Sequence, residues 1–449
     1  MTIYYDNALS AVIEAVIHAG GYSAIVSGDL GFLRDAAGVI TAVIINDHAS
    51  LDISALEASI AALEAYVDKT YPVARPAELL DTELADPAAY RRLTVLLNKQ
   101  PPIDVLLINR RMVGSDWLSP VRDSVEPSVP IVAFCSLKGG VGRSTALSVA
   151  ARHLSQAGLR VLAVDLDLEA PGLGSMLLPK ENRPTFGTLD FYVERGPSAF
   201  SELDFAALIE ASPYFEDGAP VYVAPAFGLN TFSSPENVLG KLSLAYLDDV
   251  APDGAPISFL ERTRKLISGL LAVRTFDVVL VDSRAGLHET AATSMLGIGA
   301  DVLLFGSYQP QTFEGYLPLL AHVEKMIPNS SRLLPRLRMV HAKAEIGNAE
   351  EVESFRDAAH AMFSQTVYDL PEQTVDAFEL GEATWFNVSD PDGPHYPWII
   401  EENTRFRLFD PRSQKHQLDA SVIGESFNDF LVNLSRNIEA RMEVSGGAA

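Results

Sequence analysis

Apolar residues recur along this chain with two periods, and the change of period separates helices from strands. Over residues 7–19, Leu9, Val12, Ile13, Val16 and Ile17 follow helical spacing and stop at Gly20-Gly21, a C-terminal signal. Residues 22–26 and 39–45 are apolar runs of strand length; 51–67 and 87–97 are predicted helices, and 103–108 is another strand. From residue 129 the pattern alternates. Strands are predicted at 129–135, 160–164, 220–226, 276–281, 301–305 and 338–341, with helices over 145–156, 259–273, 311–326 and 348–363. Such alternation implies parallel strands joined by right-handed crossovers.

Two stretches stand outside that rhythm. Residues 178–219 carry Phe186, Phe191, Tyr192 and Phe200 and read as a helical elaboration. Residues 418–442 place Ile423, Phe427, Phe430, Leu431, Leu434 and Ile438 at helical spacing. A membrane-surface helix would carry a basic polar face, whereas here acids and bases mix, so this segment is expected to dock on the core. The proline-rich stretch 119–130 reads as a linker. The expected organisation is therefore an N-terminal α/β domain, residues 1–125, for sensing or partner binding, or else an enlargement of the main core. It precedes a larger domain, residues 126–449, built on a mostly parallel, doubly wound α/β sheet.

Composition narrows the function without naming it. A chain of 449 residues with 48% hydrophobic and 21% charged residues is ordinary for a globular protein of two domains. The longest apolar runs have strand length, and the start lacks a signal core, so a cytoplasmic location without membrane association is expected. A single cysteine, Cys135, excludes an intrachain disulfide or a cysteine-built metal site. The net charge of −25 argues against direct non-specific DNA binding, which needs Lys and Arg to displace counterions.

The chemistry concentrates after the 129–135 strand, in Phe134-Cys-Ser-Leu-Lys138-Gly-Gly-Val-Gly-Arg143-Ser-Thr145. A strand turning through glycines into a helix start aims backbone N–H groups and a positive dipole end at one point, which suits phosphate. The common phosphate-loop pattern has glycine where Leu137 stands and lysine where Arg143 stands. The stretch resembles instead the deviant Walker A loop of the ParA/MinD family of P-loop ATPases, KGGxGK[ST]T, in the variant group whose motif ends in arginine, KGGVGR.

That resemblance implies a Mg-ATP site. The backbone of Gly139, Gly140, Val141, Gly142 and Arg143 would wrap the β-phosphate, Ser144 would bind Mg2+, and Thr145 would lie near the α-phosphate. In the family the carboxylate implicated in hydrolysis is the second Asp of an Asp-x-Asp, 24 positions after the loop lysine. Asp167 stands 24 positions after Arg143. Asp165 and Asp282 would serve the Mg2+ shell, the latter in Val281-Asp-Ser-Arg-Ala-Gly-Leu, close to the MinD-type Asp-Ser-Pro-Ala-Gly. Alone, each aspartate would read as a strand-end turn residue or cap; three in register with a glycine loop read as a nucleotide site.

Lys138, the family's signature lysine, implies an ATP-dependent homodimer in which it reaches the partner's phosphates. Arg143 keeps the loop's charge but is planar and two-pronged. It would stabilise the β/γ oxygens during slow hydrolysis, or leave a binding-only site. Arg284 could add transition-state charge in the manner of an arginine finger, but a structural salt bridge to a neighbouring acid is the expected role. His341 and Lys343 follow the last predicted strand, where family members place base-contacting residues. Three readings follow: a switch ATPase signalling to an unidentified protein partner, a non-hydrolysing ATP-bound scaffold, and an ATP-dependent ligase on the same fold.

Overall fold

The computed structural model describes residues 3–35, 37–49, 51–81, 83–98, 100–110, 115–118, 127–194, 202–215, 217–250, 256–327, 330–368 and 385–446. Its chain divides into two compact units, Met1–Ser115 and Asp116–Ala449. Most of the expected linker, residues 119–126, and part of the expected elaboration, residues 195–201, lie outside the described residues.

The first unit has its own sheet and its own core. Helices α1 (Tyr5–His18), α2 (Tyr22–Ser27) and α3 (Ile53–Ala61) accompany strands β1 (Leu30–Arg34), β2 (Ile40–Ile44), β3 (Val73–Ala74), β4 (Arg91–Leu97) and β5 (Gln100–Asn109). The sheet order is β3-β2-β1-β5-β4, mixed in direction. Ile13 and Val16 of α1 and Leu56 and Ile60 of α3 are buried with Phe32 and Ala42 of the strands.

Two expected elements here are corrected. Residues 22–26 form a helix, not a strand; a five-residue apolar run fits either period, and Gly28, left-handed at φ 81°, caps it. Residues 87–97 are not a helix: a short 3-10 turn, Pro87–Ala89, leads into β4, where half-buried or buried Leu93, Val95 and Leu97 alternate with exposed Arg92, Thr94 and Leu96. The helix expected over 51–67 ends at Ala61.

The second unit carries an eight-stranded sheet. Its strands are β6 (Ile131–Ser136), β7 (Val161–Asp165), β8 (Glu210–Ala211), β9 (Val221–Ala224), β10 (Val278–Asp282), β11 (Asp301–Gly306), β12 (Leu337–Ala344) and β13 (Trp398–Glu401). The order is β13-β12-β11-β6-β10-β7-β9-β8, parallel except for β8 at one edge. The longer helices are α4 (Arg143–Gln156), α5 (Phe259–Val273), α6 (Pro310–Met326), α7 (Ala349–Ser364) and α8 (Ala420–Gly446).

Strand residues alternate between two apolar layers, as a sheet covered on both faces requires. Ala133, Val164, Val281 and Leu304 face a layer containing residues of α5, α6 and α7; Val132, Phe134, Leu280 and Phe305 face one containing residues of α4 and α8. This is the doubly wound sheet read from the sequence. Strand β13 lies beyond the last strand that reading placed.

The docked C-terminal helix is the strongest feature of the second layer. Phe430 is fully buried against Phe134, Phe305 and Trp398, with ring centroids 6.1 to 6.3 Å away. At the far end Arg441 grips Asp301 with Nη2 2.7 Å and Nε 3.0 Å from its two oxygens. No helix among the described residues is long and apolar enough to cross a membrane.

Candidate functional site

Parallel pairing brings the candidate chemistry to one edge of the sheet. In the β10–β7 ladder Asp282 stands directly opposite Asp165, and in the β10–β6 ladder it stands opposite Phe134, just before the glycine loop. All three strands end at their carboxyl ends here, where open α/β sheets bind ligands. Asp165, Asp167, Asp282 and the loop therefore converge because the strands are in register.

The loop runs from Ser136 to Arg143. Gly140 and Gly142 adopt φ of 76° and 90°, the left-handed region that glycine tolerates without strain. Gly142 is the N-cap of α4, with no side-chain cap. The first-turn N–H groups of α4, including those of Ser144 and Thr145, thus lack the intrahelical partners that later residues have. The loop is tied down on both sides: Lys343 Nζ donates to the Gly140 carbonyl at 2.7 Å, and Gly286 N donates to the Ser136 carbonyl at 2.9 Å. Lys138 is exposed and its Nζ donates to Oε1 of Gln311, at the start of α6, at 2.8 Å.

Arg143 does not line the loop. Its side chain turns inward and is only 8% exposed. Nε donates to Asp282 Oδ1 at 2.5 Å, Nη2 to Asp167 Oδ2 at 2.8 Å and Nη1 to Ser136 Oγ at 3.0 Å. The expected placing of Arg143 against phosphate oxygens differs from where its guanidinium lies, on Asp282, Asp167 and Ser136. The guanidinium seeks the buried acids, since an uncompensated carboxylate in a dry interior is costly.

The three aspartates differ in what their oxygens do. Asp165 is fully buried, with Oδ1 accepting from Asp167 N and Oδ2 from Gly172 N and Leu173 N, each at 3.1 Å. Both oxygens organise the turn after β7. Asp167 Oδ1 accepts from Ala170 N at 3.2 Å. Asp282 is fully buried; its Oδ2 makes no hydrogen bond of ordinary geometry, although the Ser144 hydroxyl lies close enough to lower its pKa. Burial pushes all three carboxyls above the usual range, and at Asp165 repulsion from Asp282 and Asp167 adds to it. Arg143 opposes the rise at Asp167 and Asp282.

The Ser144 hydroxyl and Asp282 Oδ2 fit a magnesium ion, a hard cation that takes oxygen ligands. Among the described residues no group of three or more His, Cys, Asp or Glu side chains is arranged to hold a metal unaided.

Beside the loop lies a cavity of about 280 Å³ lined by Gly140, Gly142, Thr145, Lys343, Asn403 and Phe406, among others. A larger cleft of about 740 Å³ runs between α7, β13 and α8, but none of the loop residues lines it. Loop chemistry, rather than volume, singles out the smaller one.

Two sequence expectations at the rim resolve differently. Arg284 pairs with an acid as expected, Nη1 to Glu169 Oε1 at 2.6 Å. Tyr246 donates its hydroxyl to the same oxygen at 2.8 Å, and its ring packs against His288, whose pKa burial lowers to about 4. Glu169 thereby joins the turn after Asp167 to the loop after Asp282, a role the sequence reading did not assign. His341 does not face the cavity: it is fully buried, its ring stacks on Phe355 and its Nε2 lies 3.2 Å from Glu351 Oε1. Lys343, at φ 60°, does line the cavity.

Residues 132–442 match the family model described as the CobQ/CobB/MinD/ParA nucleotide binding domain, well over half of the chain. The chain belongs to this family. The family match runs through β13 and most of α8, elements beyond the reach of the three motifs. No curated protein matches the sequence. Solved structures similar to it include pNOB8 ParA bound to nonspecific DNA, at 14% identity, covering 70% of this chain and 99% of that one with a TM-score of 0.42. The Pyrococcus furiosus cell division ATPase MinD aligns at 18% identity over 68% of this chain and 98% of that one, TM-score 0.39. A cobyrinic acid a,c-diamide synthase from Mycobacterium smegmatis, with bound ATP analogue and magnesium, aligns at 18% over 54% and 84%, TM-score 0.35.

Proposed function

We propose that this family member is a Mg-ATP-binding, slowly hydrolysing switch of the ParA/MinD type that closes as a homodimer and signals to a protein partner. One observation carries the reading: the left-handed glycine loop, Ser144, Asp167 and Asp282 converge at the carboxyl edge of a parallel sheet. Backbone N–H groups from Gly139 to Thr145 would hold the phosphates. The neighbouring cavity, with Lys343 on its wall, would take the nucleoside. Ser144 and Asp282 would hold Mg2+, which supplies positive charge against the phosphates. Asp165, with both oxygens occupied by backbone, positions the Asp167 turn instead. Asp167 would orient the attacking water once Arg143 leaves it. Lys138 would serve a partner subunit. The net charge of −25 keeps direct non-specific DNA binding out of the proposal.

The test is ATP turnover by the purified protein beside Asp167→Ala. Turnover that disappears in the variant supports the switch; unchanged turnover in the variant removes Asp167 from the mechanism. A second reading, an ATP-bound scaffold without hydrolysis, is favoured by one observation: Arg143 donates to Asp167 Oδ2 and so competes for the carboxylate the reaction needs. Under it, Arg143→Lys creates activity that the natural protein lacks, and turnover by the natural protein contradicts it.

A further inference from the structure

Asp282 at the end of β10, with the Ser144 hydroxyl beside it and Asp167 in the turn after β7 nearby, offers oxygen chemistry suited to a small divalent cation. In this chain a cation already sits there, and it belongs to the protein. The Arg143 guanidinium spends each of its three nitrogens on the site: Nε on Asp282, Nη2 on Asp167 and Nη1 on Ser136. Its side chain is 8% exposed and those of Asp167 and Asp282 are 10% and 0% exposed, so the contact is shielded from competing water. A lysine at 143 would bring one nitrogen in place of a rigid fork of three.

We infer that Arg143 is a built-in cation: its guanidinium neutralises Asp282, the proposed metal ligand, together with its neighbour Asp167, so a divalent metal and Arg143 exclude each other. A metal ion arriving alone must displace a buried, triply bonded guanidinium and leave it without its acids, which opposes binding. An anion at the glycine loop changes that balance by giving Arg143 another partner, and the carboxylates then become available together. The loop's arginine thereby sets an order, anion first and metal with it or after it. This inference rests on Asp282 and Ser144 being cation ligands, but not on nucleotide binding.

The experiment is a titration of Mn2+ alone into the nucleotide-free full chain, read from the paramagnetic resonance signal of free Mn2+. Wild type is expected to show no saturable site across the millimolar range. Arg143→Gln is expected to reveal one saturable site within that range, because the variant removes the repulsion between the guanidinium and the metal. Adding Asp282→Asn to that variant should abolish the site. Should Arg143→Gln fail to fold, Arg143→Lys, which keeps the charge but loses the fork, must still bind Mn2+ more tightly than wild type. A wild-type site equal to that of the variants overturns the inference, as does the absence of any site in the folded variants. Nucleotide binding measured separately would survive either failure.

Discussion

Arg143 and Asp167 stand 24 residues apart in the chain and are joined by a 2.8 Å bond from Nη2 to Oδ2. The spacing that marks the hydrolytic aspartate in the resembling family is thus a side-chain contact in this molecule. Because Arg143 also bonds Asp282, its removal leaves two buried carboxylates without compensation. Arg143→Ala is expected to cost about 3 to 5 kcal/mol of unfolding free energy near neutral pH. The loss should shrink as pH falls. Burial already raises both carboxyls, and without the guanidinium they rise further. A carboxyl whose folded pKa is raised penalises folding above that pKa and stops doing so as pH falls towards the ordinary value of about 4. Urea unfolding of wild type and variant at two pH values checks both statements. A pH-independent difference would place the effect elsewhere.

A second pH effect lies away from the loop. Asp116 is 3% exposed, accepts from Leu260 N and Thr293 Oγ1, and its pKa is raised to about 7 by burial and by Glu289. The folded chain therefore binds this proton more tightly than the unfolded chain. Between about 4 and about 7 stability falls as pH rises, and the penalty is complete above 7. Asp116→Asn removes the titration, so its stability relative to wild type should increase from pH 5 to pH 8, by at most about 3 kcal/mol. His288, lowered to about 4, acts in the opposite direction, losing stability as pH drops below 6.5, but it is common to both proteins. A relative stability that does not move with pH would contradict this account of Asp116.

The C-terminal helix owes its docking to Phe430, which touches rings from β6, β11 and β13. Phe430→Ala should cost about 3 to 5 kcal/mol by lost burial and the cavity left behind. A thermal midpoint lowered by several degrees is the expected readout. An unchanged midpoint would mean that the helix contributes little to the core.

Much of this was legible in the sequence, for identifiable reasons. The parallel sheet announced itself because its strands are covered on both faces and read as unbroken apolar runs, such as residues 278–281. The loop and the three aspartates were found because glycine geometry and strand-end carboxylates are local signals. The N-terminal unit was harder: residues 22–26 are too short to reveal a period, and the helix expected over 87–97 gives way to a strand in which Leu93 and Leu97 are only half-buried. The inward turn of Arg143 was hidden for another reason. Motif spacing fixes where a side chain starts, while burial energy between β6, β7 and β10 decides where its guanidinium ends. Glu169 gathered Arg284 and Tyr246 from 115 and 77 residues away, which no local pattern encodes.

Lys138 offers a separable prediction. Its Nζ rests on Gln311 of its own chain, an exposed contact worth little by itself. Under the proposed switch, Lys138→Ala retains nucleotide binding by the monomer and loses the nucleotide-dependent homodimer. Light scattering with and without ATP checks this. A dimer that persists in the variant would deny Lys138 its role.

The central claim is that the glycine loop binds nucleotide, and thermal unfolding with Mg-ATP tests it most directly. Ligand at about 100 times its dissociation constant should stabilise wild type by roughly 2.7 kcal/mol. Gly142→Val, a β-branched residue forced to φ 90°, should lose that response at the loop. No stabilisation of wild type by Mg-ATP, or an equal response from Gly142→Val, would contradict the account.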